Sequence, residues 1–144
     1  MPQKHYYIDT CIWLNLFKKE ADLTKSTIYW KITIDFIKRV EETRNSKIIV
    51  SAIVMKELIF KLPEKLDKVT EFFRRSKDVV MIKTVFEDYA LARDLNGKFK
   101  IGLSDCLHIA IAKRLGLSLV TRDRKLLAVA KKYVSTGKPE NLIR

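Results

Sequence analysis

The chain has 144 residues, 47% of them apolar, which is enough for a full core and excludes a disordered chain. Lys and Arg number 29 against 17 Asp and Glu, a formal net charge of +12, so a polyanion is the first partner to consider. No apolar run approaches the roughly 18 residues of a membrane span, residues 1–6 lack a secretion-signal pattern, and two cysteines cannot form a disulfide framework.

Tyr6, Tyr7 and Ile8 are aromatic and β-branched, which predicts a strand over 5–8. Asp9 and Thr10 can cap a helix from Cys11 to Phe17. From Thr24 to Arg44, Ile28, Ile32, Phe36 and Val40 recur at every fourth position with Ile37 beside them, the spacing of an amphipathic helix. Lys47 to Val50 read as a second strand, Ser51 as a cap, and Ala52 to Leu62 as the next helix. Pro63 breaks that helix and leads another over 64–76. Val79 to Ile82 predict a third strand. Residues 85–96 predict a helix with Val85, Tyr89, Ala92 and Leu95 on one face and Gly97 as its stop. Ser104 is read as the cap of a helix from Asp105 to Leu115, ended by Gly116. Leu117 to Val120 is a fourth strand, Arg124 to Lys132 a last helix, and Tyr133 to Ser135 a fifth strand.

Short apolar strands alternating with helices predict an α/β fold. It has three layers: a central parallel sheet of four to five strands with helices on both faces, in one domain over 1–144. In such sheets, sites form beyond the carboxyl ends of the strands. Asp9 directly follows the first strand and Asp123 closely follows the fourth. Glu57 lies in the helix after the second strand, in an otherwise apolar segment, and Asp105 opens the helix before the fourth.

Each acid has a plain structural reading. Asp9 and Asp123 can be helix caps, Glu57 a solvated residue beside Lys56 and Lys61, and Asp105 a first-turn acid favoured by the helix dipole. The set is more informative than its members. Four carboxylates at one edge repel each other unless a cation neutralises them, and a hard divalent ion with oxygen ligands suits them. Two histidines are too few for an imidazole-rich site. His108 shares a helix face with Asp105 and reads as a buried, hydrogen-bonded histidine, Cys11 and Cys106 as core thiols, and Asp88 and Asp94 as solvent-facing acids.

These residues carry a resemblance. Tyr7-Ile8-Asp9-Thr10, Ser51 with Glu57, Ser104-Asp105 with Ala110 and Ala112, and Leu119-Val120-Thr121-Arg122-Asp123 occur in order along nearly the whole chain. In this the chain resembles a PIN-domain ribonuclease of the kind that is the toxin of VapBC toxin–antitoxin systems. The resemblance implies a PIN-like sandwich and a metal-dependent endoribonuclease. Asp9, Glu57, Asp105 and Asp123 would be its catalytic and metal-binding quartet, with Mg²⁺ or Mn²⁺ as cofactor. It implies that Thr10 and Thr121 orient the carboxylates. Asn15 is a candidate to line the pocket, and Arg122 and Arg124 to hold the RNA backbone.

The expected partners are RNA, an antitoxin protein and a second copy of the chain, with no membrane, in the cytoplasm. The helix over 24–44, with Tyr29 and Trp30, is a candidate dimer face. A housekeeping RNA-processing nuclease would carry the same acids, and a non-catalytic RNA-binding module stays open, as does DNA cleavage. A dehalogenase-type phosphatase would want a second Asp at position 11, which is Cys.

Overall fold

In the computed structural model, which describes residues 4–142, the alternating pattern folds as one five-stranded sheet in which every pairing is parallel. Residues 1–3, part of the segment read for a secretion signal, lie outside the described residues. The elements run β1 (His5–Ile8), α1 (Thr10–Phe17), α2 (Tyr29–Glu42), β2 (Lys47–Ser51), α3 (Ala52–Lys61), α4 (Leu66–Arg75) and β3 (Val79–Ile82). They continue through α5 (Phe86–Lys98), α6 (Leu103–Leu115), β4 (Ser118–Val120), α7 (Arg124–Ala130), β5 (Thr136–Gly137) and α8 (Pro139–Leu142). Helices flank the sheet in the α/β sandwich that the sequence predicts. No described helix is long and apolar enough to cross a membrane.

The strand order is β3-β2-β1-β4-β5. The chain therefore builds outward from β1 in one direction and returns through β4 in the other. The crevice for a site lies at that reversal, past the carboxyl ends of β1 and β4. Ile8 pairs with Val120, and the Asp9 amide donates to the Val120 carbonyl at 2.9 Å. That register sets Asp9 and Thr121 side by side.

Tyr7, Ile8, Ile48, Val50, Leu119 and Val120 are fully buried, as strands covered on both faces must be. The edge strand β3 is different, with Val80 and Met81 exposed. Trp13 of α1 is buried edge-on against Phe72 and Phe73 of α4, at 6.0 and 4.8 Å between ring centroids. Burial of rings this large contributes about 2 kcal/mol or more each. It fixes α1, and with it the Asp9 cap at its start.

Several local expectations change. The amphipathic helix begins at Tyr29, not Thr24, because Asp22 caps a separate short 3₁₀ turn over Leu23–Lys25 and Ser26 leaves it with a left-handed backbone. Pro63 likewise opens a 3₁₀ turn, Pro63–Lys65, before α4. Gly97 does not stop α5, which runs through it to Lys98; Gly116 does end α6, at a φ of 66°. Gly102, not Ser104, caps α6. The fifth strand is Thr136–Gly137, because Tyr133 and Val134 close the turn after α7 by bonding back to Ala130. Asp88 is 1% exposed rather than solvent-facing: it accepts the Val85 amide and pairs with Arg114 at 2.8 Å.

Candidate metal centre

Asp9 is the N-cap of α1 and is buried at 5% exposure. Its Oδ1 accepts the Thr10 amide at 2.7 Å, and its Oδ2 accepts the Thr121 hydroxyl at 2.8 Å and the Cys11 thiol at 3.2 Å. Both oxygens are thus held in place. Asp123 caps α7 but is exposed, and among the described residues only its Oδ1 is engaged, by the Lys125 and Leu126 amides. The fully buried Thr121 hydroxyl joins the two acids, since it donates to Asp9 and accepts the Asp123 amide at 3.1 Å.

Glu57 reaches in from α3. Its Oε1 accepts the Thr10 hydroxyl at 2.9 Å and sits 3.1 Å from His108 Nε2. Asp105 enters from the first turn of α6. One ligand atom from each of Asp9, Asp105 and His108 lies within 4.8 Å of the others. The Asp105 carboxylate has no hydrogen-bond donor among the described residues.

The electrostatics follow from this crowding. Burial first, and then repulsion from Asp9, push the Asp105 carboxyl up to about 6, against the opposing charge of His108. Burial would lower the His108 value, but its bond to Glu57 and the charges of Asp9, Glu57 and Asp105 outweigh it, so the net direction is upward. Burial raises Glu57, yet the His108 bond and charge with the Thr10 hydroxyl leave it below the usual range. Burial and the Asp9 charge drive the Cys11 thiol to about 12, so it is a protonated donor and no nucleophile.

The residues present fit a hard divalent cation. They are carboxylate oxygens crowded at one edge, and Asp105, raised to about 6 by burial and then by the Asp9 charge, has no donor of its own among the described residues. Asp9 and Asp105 come to ligand distance of each other, while Thr10 links Asp9 to Glu57 and Thr121 links Asp9 to Asp123.

Asn15 and Arg122 fall elsewhere. Asn15 bonds to Glu20 at 3.1 Å and accepts Arg122 Nε at 3.1 Å. Arg122 also pairs with Glu140 of α8 at 2.8 Å and stacks 4.6 Å above the Tyr29 ring. Its guanidinium ties the β4–α7 loop to α1, α2 and α8 instead of reaching for a substrate. Tyr29, read as a dimer-face residue, is half-buried, with one face of its ring against that guanidinium. Arg124 is exposed at the start of α7.

The sequence reads His108 as a buried, hydrogen-bonded histidine, and it is 1% exposed with both ring nitrogens engaged; its distant partners, and Tyr7 altogether, escaped that reading. Tyr7 shares a strand face with Asp9, but only the folded chain shows its hydroxyl bonded to Ser51 and His108. A groove of about 640 Å³, lined by Lys56, Phe60, Lys61, Tyr89 and Leu103, opens beside Glu57. A larger groove of about 780 Å³ between α2 and α4, lined by Ile37 and Phe72 among others, contains none of the four acids.

The model of the PIN domain family matches residues 6–132. No curated protein matches the sequence significantly. Among solved structures, VapBC-1 from nontypeable Haemophilus influenzae matches at 19% identity and a TM-score of 0.69, over 94% of this chain and 98% of that one. VapBC2 from Rickettsia felis, bound to a DNA fragment from its promoter, matches at 16% identity and 0.68, over 93% and 98%. The Mycobacterium tuberculosis toxin VapC20, which cleaves the sarcin-ricin loop, matches at 14% identity and 0.63, over 86% and 94%. At these identities the likeness is one of fold.

Proposed function

The chain belongs to the PIN-domain family, and from that footing we propose that it is a divalent-metal-dependent endoribonuclease, the toxin of a toxin–antitoxin pair. What supports the reading is that Asp9 and Asp105 offer ligand oxygens within 4.8 Å of each other, with Glu57 and Asp123 near enough for their charges to act on Asp105, which has no donor among the described residues. Asp9 and Asp105 would hold the ion, with Asp123 and Glu57 binding it directly or through water. Bound Mg²⁺ or Mn²⁺ supplies a water of lowered pKa and polarises a phosphoryl oxygen.

The protein's own groups hold this arrangement rigid. Thr121 and the Thr10 amide fix Asp9, and the Thr10 hydroxyl fixes Glu57. No side chain is needed as a covalent nucleophile, and Cys11 is unsuited to the part. The surplus of 12 positive charges, with Lys56 and Lys61 lining the groove beside Glu57, would gather the RNA backbone with salt-sensitive affinity. The toxin role draws support from the VapBC complexes that share the fold. On this reading the chain is cytoplasmic, binds an antitoxin and pairs with a second copy of itself.

The test is cleavage of a mixed RNA pool with Mg²⁺, with Mn²⁺ and with chelator, beside the Asp9→Asn variant. Cleavage that needs the metal and is lost in the variant is expected. Undiminished metal-dependent cleavage by the variant would sink the site. Growth arrest on expression, relieved by a neighbouring gene, separates a toxin from an RNA-processing enzyme.

A further inference from the structure

On distance alone, Asp9, Asp105 and His108 form a three-ligand set. The hydrogen bonds around His108 argue otherwise. Taking only the acid pair from the reading above, we infer that His108 is a positioning residue and not a metal ligand. Its Nε2–H is a fixed donor that holds Glu57 beside Asp9, and a buried relay through Ser51 and Tyr7 sets it.

Ser51 is fully buried, and as the cap of α3 its Oγ accepts the Val54 amide at 3.2 Å. Its hydroxyl proton then goes to the Tyr7 oxygen, 2.6 Å away. The Tyr7 proton goes to His108 Nδ1 at 2.7 Å. In a neutral ring Nδ1 is therefore the acceptor and the proton sits on Nε2, facing Glu57 Oε1 at 3.1 Å and Asp9 Oδ1 at 3.4 Å. In a charged ring both nitrogens carry protons, and Nε2 donates all the same.

One arrangement alone would free the Nε2 lone pair for a metal. It places the proton on Nδ1, turns the Tyr7 hydroxyl toward Ser51, and leaves the Ser51 proton without an acceptor in a fully buried position. It also takes from Glu57 one of its two side-chain donors, leaving the Thr10 hydroxyl. The relay thus starts at the cap of α3, crosses β1 and α6, and returns to Glu57 on α3. It bolts the three elements together and leaves an all-oxygen donor set, which favours Mg²⁺ or Mn²⁺ over nitrogen-seeking ions.

The chain has only two histidines, and His5 is distinguishable because its Nδ1 accepts the Lys47 amide. Long-range ¹H–¹⁵N spectra of the full chain, metal-free, with Mg²⁺ and with ¹¹³Cd²⁺, should show His108 Nε2 protonated in all three. A pyridine-type Nε2 in any state, or a ¹¹³Cd–¹⁵N coupling at that atom, overturns the proposal. The spectra report on the ring whether or not the protein cuts RNA, so failure of the nuclease reading is seen separately. As a second arm, His108→Gln, which can still donate to Glu57, should keep Mg²⁺ affinity within about threefold, whereas His108→Leu should lose about tenfold or more. Equal loss in both variants also overturns it.

Discussion

The β1–α1 and β4–α7 junctions are built alike: a buried strand, an aspartate capping the next helix, and a place at the point where the sheet order reverses. They differ in freedom. Asp9 is 5% exposed, with donors on both oxygens, while Asp123 is exposed, with one oxygen engaged. The lesson is that motif position alone does not assign a role. A ligand that must hold its place against repulsion needs the buried, fully bonded position, and one that adjusts to ion or substrate needs the open one.

The largest break in this comparison is Asp9→Asn against Asp123→Asn. Asn keeps either cap, so both variants should fold. Asp9→Asn should abolish cleavage, and Asp123→Asn should lower it less. In metal-free protein, Asp9→Asn should let the Asp105 carboxyl fall from about 6 toward the ordinary range, and Asp123→Asn should move it less, as ¹³C titration would show. Equal effects would erase the distinction between the junctions.

Next is Thr121→Val, which cuts the one hydroxyl joining the two acids. It leaves Asp9 Oδ2 and the Asp123 amide each short of a partner. A loss of about 1–3 kcal/mol in urea unfolding is expected, together with weaker Mg²⁺ binding.

A third effect is the pH dependence of Mg²⁺ stabilisation. The Asp105 carboxyl is raised in the folded, metal-free protein, so its contribution to stability is complete below the unfolded value and is lost as pH rises through about 6. Ion binding needs the carboxylate and removes the repulsion. The rise in melting temperature with Mg²⁺ should therefore be small at pH 5 and grow above pH 6. A pH-independent rise would count against Asp105 as a ligand.

The smallest expected effect is at Glu140→Gln, which weakens the tie from α8 to Arg122. Because that ion pair is partly exposed, the change in unfolding free energy should stay within about 1 kcal/mol.

Much of this architecture is legible in the sequence. The apolar strands, the two capping aspartates and the Gly116 stop are local signals, and local signals survive folding. What the sequence hides is long-range or overridden by it. Gly97 looks like a helix stop, but α5 packs on α6 and runs through it. Asp88 looks solvent-facing until Arg114 arrives from 26 positions away. Arg122 looks free to hold RNA until Asn15, Tyr29 and Glu140 close around it. Asp9, Asp105 and Asp123 stand out because each follows a strand or opens a helix, and Glu57 because it is an acid in an apolar helix. The pairing of Tyr7 with His108 is hidden, because it spans 101 positions.

The central claim is that this carboxylate cluster holds a divalent ion, and anomalous diffraction from crystals soaked in Mn²⁺ tests it most directly. The account predicts a peak bounded by the Asp9 and Asp105 carboxylates, lost in Asp9→Asn crystals, with His108 Nε2 still turned to Glu57. No peak at that edge, or one centred on His108 Nε2, would contradict it.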